Sequence, residues 1–409
     1  MPHSKVPEPV QPRIHPVLVH GLHDRVFVPV HSALFFVLAL AMNVIQALCL
    51  PVLMVSQHTY RQLMAFTVHS FAHVIQYYLE KRSGVQLWFY GSVDLFGKRV
   101  TENAVLISNH SSYADWPVFF MVAIRAHTVR YLRIFIKDLA KFIPGFGWGS
   151  WFVEMIFLRR NFNHDSKRIS QVLHSFKSSG NSLWIALFPE GTFVDDKNLN
   201  AIPDAEMFAQ SKGLAPFRHV LTPRIKGFHL TVQAVRDQAT HVIDLTIAFV
   251  GCRSPDVPQY CTSAPLRDQQ ARELPGAIDF LRRDRAPREI HIYTEVFPIG
   301  DVPQELEDVE KWLFERFRRK DELLAHFHEH GAFPGQKQAI PWTSATTPLH
   351  FGLFASVGAC TLYGLLSLPG VYFAMAAVGI LGLGVMSAVS QRLAQSQCCL
   401  LYTSDAADE

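Results

Sequence analysis

The chain has 409 residues, of which 49% are apolar and 18% charged, with a formal net charge of +3. This balance leaves neither the basic excess expected of a nucleic-acid binder nor the acidic excess that would attract a strongly basic partner. Six scattered cysteines make no disulfide framework, and 31 phenylalanines with a mean hydropathy of +0.12 favour contact with lipid.

Residues 1–30 form a polar, proline-containing segment. No Asp, Glu, Lys or Arg lies between Arg25 and Arg61. Residues 33–55 within that gap are long and apolar enough to span a bilayer, although Asn43, Gln46 and Pro51 weaken the run. The polar residues before it make it an anchor rather than a cleaved signal peptide. Residues 63–79 are apolar but rich in His and Gln. They form either a helix lying along the bilayer or a helix packed on the core, so residues 31–84 are grouped as an anchor and interfacial unit.

Residues 85–330 alternate apolar runs with helical patterns, as an α/β domain does. Strands are expected at 105–108, 131–136, 155–158, 182–188, 242–250 and 290–297. Residues 166–178 carry Ile169, Val172, Leu173 and Phe176 on one helical face. Further helices are expected at 203–212, ending at Gly213, at 227–237, and at 304–327. The last has a stripe of Leu306, Val309, Leu313, Phe317 and Leu324, and its charges read as a solvated face. Basic residues 316–320 are placed to touch anionic headgroups. Residues 251–288 read as an inserted loop region and 331–348 as a linker. No charged residue occurs between Lys337 and Arg392. Within that gap, 349–366 and 371–389 read as a transmembrane hairpin turning at Leu368-Pro369-Gly370. Residues 391–409 lack periodicity and read as a tail. Cys252 and Cys261 are too far apart for a usual zinc pair. His326, His328 and His330 alternate without the make-up of a functional metal site.

The chemistry concentrates in Asn109-His110-Ser111-Ser112-Tyr113-Ala114-Asp115-Trp116. The H-x4-D spacing alone is weak: with 20 histidines and 19 aspartates, chance gives about one such pair, and His110–Asp115 is that one. Context carries more. The strand-type run 104–107 ends in polar residues, and a helical pattern follows with Trp116, Val118, Phe119, Phe120 and Val122. Ser111 or Ser112 is the expected N-cap, with Pro117 tolerated in the first turn. Along a helix, five residues would turn the two side chains about 140° apart. Along a strand they would face opposite ways. Only a strand-to-helix turn lets Asp115 reach the imidazole. That is the base-plus-orienter arrangement of acyl transfer, in which the histidine takes a proton from a hydroxyl. With no obvious Ser or Cys nucleophile beside them, direct transfer to the acceptor is the simpler reading. Backbone amides at the helix start after Ser112 are the expected oxyanion donors.

Four blocks in order resemble the glycerophospholipid acyltransferases, the family of 1-acylglycerol-3-phosphate and lysocardiolipin acyltransferases. They are Asn109-His110 through Asp115-Trp116; Ile143-Pro144-Gly145-Phe146-Gly147-Trp148 leading to Arg159-Arg160; Phe188-Pro189-Glu190-Gly191-Thr192; and Val220-Leu221-Thr222-Pro223-Arg224 through Lys226-Gly227-Phe228. The resemblance implies a mixed sheet flanked by helices, with membrane helices at both ends. It implies acyl-CoA as co-substrate, a lysophospholipid acceptor, the bilayer as partner, no nucleic acid, and no metal or redox cofactor. His110 would be the general base and Asp115 its partner. Arg160, or adjacent Arg159, would contact a phosphate. Glu190, Gly191 and Thr192 would bind the acceptor, and Pro223 would shape the acyl pocket. Arg224 and Lys226 are further phosphate contacts or a solvated basic turn.

One departure matters. Many lysophosphatidate-specific members carry arginine directly after Glu-Gly-Thr, whereas Phe193 stands here, followed by Val194, Asp195 and Asp196. Such a loop suits a phosphate monoester poorly, which moves the acceptor toward lysocardiolipin or lysophosphatidylinositol. A CoA-independent transacylase and a catalytically inactive scaffold of the same fold stay open. The family default is the endoplasmic reticulum membrane, with the mitochondrial outer membrane behind it.

Overall fold

The computed structural model describes residues 28–96, 103–159, 162–178, 181–195, 198–252, 259–268, 274–276, 279–281 and 285–341, with 352 and 356. The expected hairpin at 349–390, the tail at 391–409 and Arg160 lie outside the described residues, apart from the two isolated positions.

Seven strands form one mixed sheet: β1 (Gln86–Gly91), β2 (Asn103–Ser108), β3 (Leu132–Lys137), β4 (Ile156–Leu158), β5 (Trp184–Leu187), β6 (Ala239–Cys252) and β7 (Pro287–Pro298). Their spatial order is β1-β7-β6-β2-β5-β3-β4. β2 runs parallel to both β5 and β6, β5 to β3, and β3 to β4, whereas β7 is antiparallel to β6 and parallel to β1. The central strands are continuously apolar because both faces are covered. Ala104 and Leu106 of β2 enter one core, and Val105 and Ile107 the other. The six expected strands are present, and β1 is an addition. It reads Gln-Leu-Trp-Phe-Tyr and ends where Gly91 adopts φ +75°.

Nine α-helices cover the sheet among the described residues: α1 (Val28–Leu48), α2 (Leu50–Val55), α3 (Gln57–Gln76), α4 (Asp115–Arg125), α5 (Phe146–Phe152), α6 (Phe162–Ser178), α7 (Ala201–Ser211), α8 (Ile225–Val235) and α9 (Leu306–His330). Helices α1, α3 and α4 pack in the first core. Helices α6, α8 and α9 pack in the second, with Ile169, Leu173 and Phe176 of α6 buried there as their spacing requires.

Of the two readings of residues 63–79, the packed helix holds. Tyr60 of α3 donates to the Phe152 carbonyl at 2.9 Å, and Arg61 grips Glu154 with two bonds of 2.6 and 2.8 Å. The stretch Pro29–Val55, spanning α1 and α2, is long and apolar enough to cross a membrane, with a mean hydropathy of 2.3. Its polar residues have a task. Asn43 accepts from the Gly145 N–H and donates to the Gly145 carbonyl, both at 3.1 Å, and Gln46 donates to Thr67 at 3.0 Å. The part of α1 around them is therefore docked on the domain.

Two expectations for α9 change. Leu306 is exposed, and Lys320 is buried against the Asp244 carboxylate and the Leu245 carbonyl. Arg316 lies over the Phe297 and Trp312 rings, and Arg319 lies within 3.8 Å of Glu295. Lys320, Arg316 and Arg319 thus reach β6, β7 and the side chains around them, whereas Arg318 is exposed and pairs with Glu315 of the same helix.

Candidate active site

The parallel run of β2, β5, β3 and β4 puts four strand ends on one edge. Asn109-His110 leave β2, Phe188-Pro189-Glu190 leave β5, Asp138 follows β3 and Arg159 follows β4. The carboxyl edge of such a sheet is where loops converge into a site.

The turn after β2 is held from three directions. Asn109 acts as a surrogate strand residue: its Nδ2 donates to the Ile247 carbonyl at 3.0 Å, and its Oδ1 accepts from the Ile247 N–H at 2.8 Å. The His110 N–H donates to Glu190 Oε1 at 2.8 Å. The Ser111 and Ser112 amides donate to Asp115 Oδ2 at 2.6 and 2.9 Å. Asp115 is fully buried and opens α4, so its carboxylate also sits at the favourable end of the helix dipole.

His110 Nδ1 lies 2.8 Å from that same Oδ2. The carboxylate can only accept, so Nδ1 carries the proton and Nε2 keeps its lone pair. The imidazole stacks on Phe188 with ring centres 4.1 Å apart and meets Phe193 edge-on at 4.7 Å. Its side chain is 19% exposed, so Nε2 remains within reach of a substrate. The pair can accept a proton from a hydroxyl while Asp115 offsets the imidazolium charge.

The expected cap requires correction. The residue before α4 is Ala114, and no side chain caps it from there. The Ser111 and Ser112 amides are engaged by Asp115, and the Ala114 amide by Ser112 Oγ at 3.0 Å. The carboxylate of the first helical residue, rather than a serine hydroxyl, binds the N–H groups of Ser111 and Ser112.

Glu190 joins three of the blocks. Besides the His110 amide, its Oε2 accepts from the Leu221 N–H at 3.2 Å, and its side chain is buried. Gly191 has φ +71° and an open space where a Cβ would stand, so its backbone is approachable. Thr192 Oγ1 accepts from Asn198 at 2.8 Å. The Arg224 N–H donates to the Pro189 carbonyl at 2.7 Å, which ties the fourth block to the third. Its guanidinium is exposed over the Phe208 ring at 4.2 Å. Pro223 is buried.

A narrow apolar void beside the His110 turn, with room for about one water, is lined by Leu79, Ala114, Pro117, Val118, Phe249 and Phe280. Arg159 is half exposed and lies 3.5 Å from Asp138. Burial alone would raise the Asp138 carboxyl, but Lys141, Arg159 and Arg168 outweigh it and hold the group below its ordinary range. Burial, reinforced by the neighbouring Asp195 carboxylate, pushes the Tyr113 phenol up.

Asn109 and Phe188 are structural neighbours of His110 that the motif contained but to which the pattern gave no role. Asn109 carried one readable signal, an amide side chain directly after a buried strand. The stacking partner of His110 had none, since Phe188 follows a strand that lies far along the chain.

The chain matches the family described as Acyltransferase over residues 92–248 and the one described as Acyltransferase C-terminus over residues 280–353. It is 27% identical to a 1-acyl-sn-glycerol-3-phosphate acyltransferase epsilon of Mus musculus, over 65% of this chain and 70% of the relative. A 1-acyl-sn-glycerol-3-phosphate acyltransferase 2 of Brassica oleracea is 27% identical, over 91% of this chain and 89% of its own length. A lysocardiolipin acyltransferase 1 of Gallus gallus is 29% identical, over 69% and 68%.

Proposed function

The chain belongs to the glycerophospholipid acyltransferase family, and from that premise we propose that it moves a fatty acyl chain from acyl-CoA to the free hydroxyl of a lysophospholipid at a membrane. The observation that carries the reading is the His110–Asp115 pair, with Nδ1 committed to the carboxylate and Nε2 left as base.

The acceptor hydroxyl approaches Nε2. Proton transfer to the imidazole accompanies attack of the oxygen on the thioester carbonyl, and Asp115 stabilises the imidazolium. The tetrahedral intermediate collapses with cleavage of the C–S bond. CoA leaves as thiolate and takes the proton back from His110, so the base is regenerated. Phe193 lies against His110 and Tyr113 where an arginine would serve a phosphate monoester, which supports a phosphodiester acceptor of the lysocardiolipin or lysophosphatidylinositol kind.

The test follows CoA release. Membranes bearing the protein receive a lysophospholipid with or without oleoyl-CoA. Stoichiometric thiol and phospholipid, appearing only with oleoyl-CoA, support the proposal. Acyl transfer without the thioester would instead make the enzyme a transacylase.

A further inference from the structure

The segment between β3 and α5 presents an apolar rim that the catalytic reading does not use. Leu139 is 65% exposed, Phe142 67% and Ile143 51%, all within five residues. Singly exposed apolar residues are ordinary; three together at one loop, beside a site for amphiphilic substrates, are not.

The rim continues onto α1. A Cβ built on Gly145 would lie 3.7 Å from the Phe36 ring, and Phe36 is itself 46% exposed. Asn43 clamps the same glycine through its N–H and carbonyl, so the loop and the long apolar helix form one rigid surface.

Charge surrounds it. Lys137 is exposed, and Lys141 holds Asp138 at 2.8 Å with its ammonium 5.1 Å from the centre of the Phe142 ring. Arg159 and Arg168 each lie 3.5 Å from Asp138. Three cations thus surround Asp138, and exposed Lys137 precedes it in the chain. A basic belt around protruding Leu and Phe side chains suits an anionic bilayer, where the rings enter the acyl boundary and the cations stay at headgroup level.

We propose that Leu139, Phe142 and Ile143 insert into an anionic lipid surface as a second bilayer contact, seating the carboxyl edge of the sheet against the membrane. β3 is parallel to β5 and β5 to β2, so this loop and His110 share that edge. An acceptor leaving the bilayer there would meet Nε2 directly. The inference rests on the lipid-substrate reading, but its test does not depend on turnover.

Photocrosslinking in the full chain tests it. p-Benzoylphenylalanine replaces Phe142 or, as a control, Leu306, an exposed apolar residue following β7, whose end pairs with the amino end of β6. The protein is held in vesicles of phosphatidylcholine and phosphatidylglycerol that contain a radiolabelled phospholipid. We expect at least about fivefold more lipid label at 142 than at 306, falling when phosphatidylglycerol is omitted. Equal labelling at the two sites overturns the proposal. So does a crosslink from 142 to a polypeptide in whole membranes, which would assign the rim to a protein partner. As a second arm, the double variant Leu139→Ser, Phe142→Ser should slow transfer to vesicle-borne acceptor at least about fivefold, and in detergent micelles less than about twofold. Equal slowing in both media counts against bilayer insertion. Loss of all turnover in the wild type would refute the acyltransferase reading while leaving the crosslinking result intact.

Discussion

Removing the Glu190 carboxylate tests whether this residue holds the site or holds the substrate. Its two oxygens accept from the His110 amide at 2.8 Å and the Leu221 amide at 3.2 Å, in a pocket that leaves it 4% exposed. Glu190→Ala strips both amides of their acceptor where little water can replace it. Each stranded group costs about 1–3 kcal/mol, so the fold should lose roughly 2–6 kcal/mol, a large share of the stability of an ordinary domain. Glu190→Gln keeps one acceptor oxygen and turns an NH2 toward the other amide, so it should lose roughly half of that. The His110 turn is released in both, and a displacement of about 1 Å can slow turnover on the order of a hundredfold. Chemical denaturation in detergent measures the first effect, and steady-state transfer at saturating acceptor measures the second. Unchanged stability with a raised KM for acceptor alone would refute the bracing role and make Glu190 a direct substrate ligand, as the family resemblance implies.

Three further outcomes follow from the geometry. Asn109→Ala and Asn109→Asp should both lower kcat at least about tenfold with KM nearly constant, because neither can donate to the Ile247 carbonyl; a normal kcat in Asn109→Asp would disprove the two-bond clamp. Asn43→Ala should undock α1 from Gly145 at a cost of about 2–4 kcal/mol, read as a lower melting temperature and faster protease cleavage near α1. His291 is pushed down to about 4, first by burial and then by Lys337, against the opposing pull of Glu289. An unfolded histidine titrates near 6.5, so between pH 6.5 and 4 the unfolded chain binds a proton that the folded chain excludes. Stability is therefore lost as pH falls through that window, and this group alone should make the protein about 2 kcal/mol less stable at pH 5 than at pH 7. His291→Gln should flatten that part of the urea-midpoint profile; an unchanged profile would place the effect on another group.

Much of the fold was readable because the central strands are buried on both faces and so appear as plain apolar runs, as in Ala104-Val105-Leu106-Ile107. Helix α6 was readable from the spacing of Ile169, Leu173 and Phe176. β1 was missed although Leu87-Trp88-Phe89-Tyr90 is an apolar run of strand type; it sits at the sheet edge, where Gln86 is exposed and Trp88 only half covered. The polar residues of α1 looked like defects in a membrane span, since their partners Gly145 and Thr67 lie elsewhere in the chain. Lys320 looked solvated for the same reason: a charge on a helical pattern gives no sign of the Asp244 that receives it. At the site, the His110–Asp115 turn followed from spacing and context. The cap was misassigned, because sequence cannot tell which acceptor wins the N–H groups of such a turn. Asp115 took two of them, at 2.6 and 2.9 Å.

The central claim is that His110 is the base of acyl transfer to a lysophospholipid. Membranes bearing the wild type or His110→Ala receive labelled oleoyl-CoA and, separately, lysophosphatidate, monolysocardiolipin, lysophosphatidylinositol or lysophosphatidylcholine. The account predicts label in phospholipid with the wild type, most from monolysocardiolipin or lysophosphatidylinositol, and a loss of at least about a hundredfold in the variant. Equal label with both proteins would contradict it.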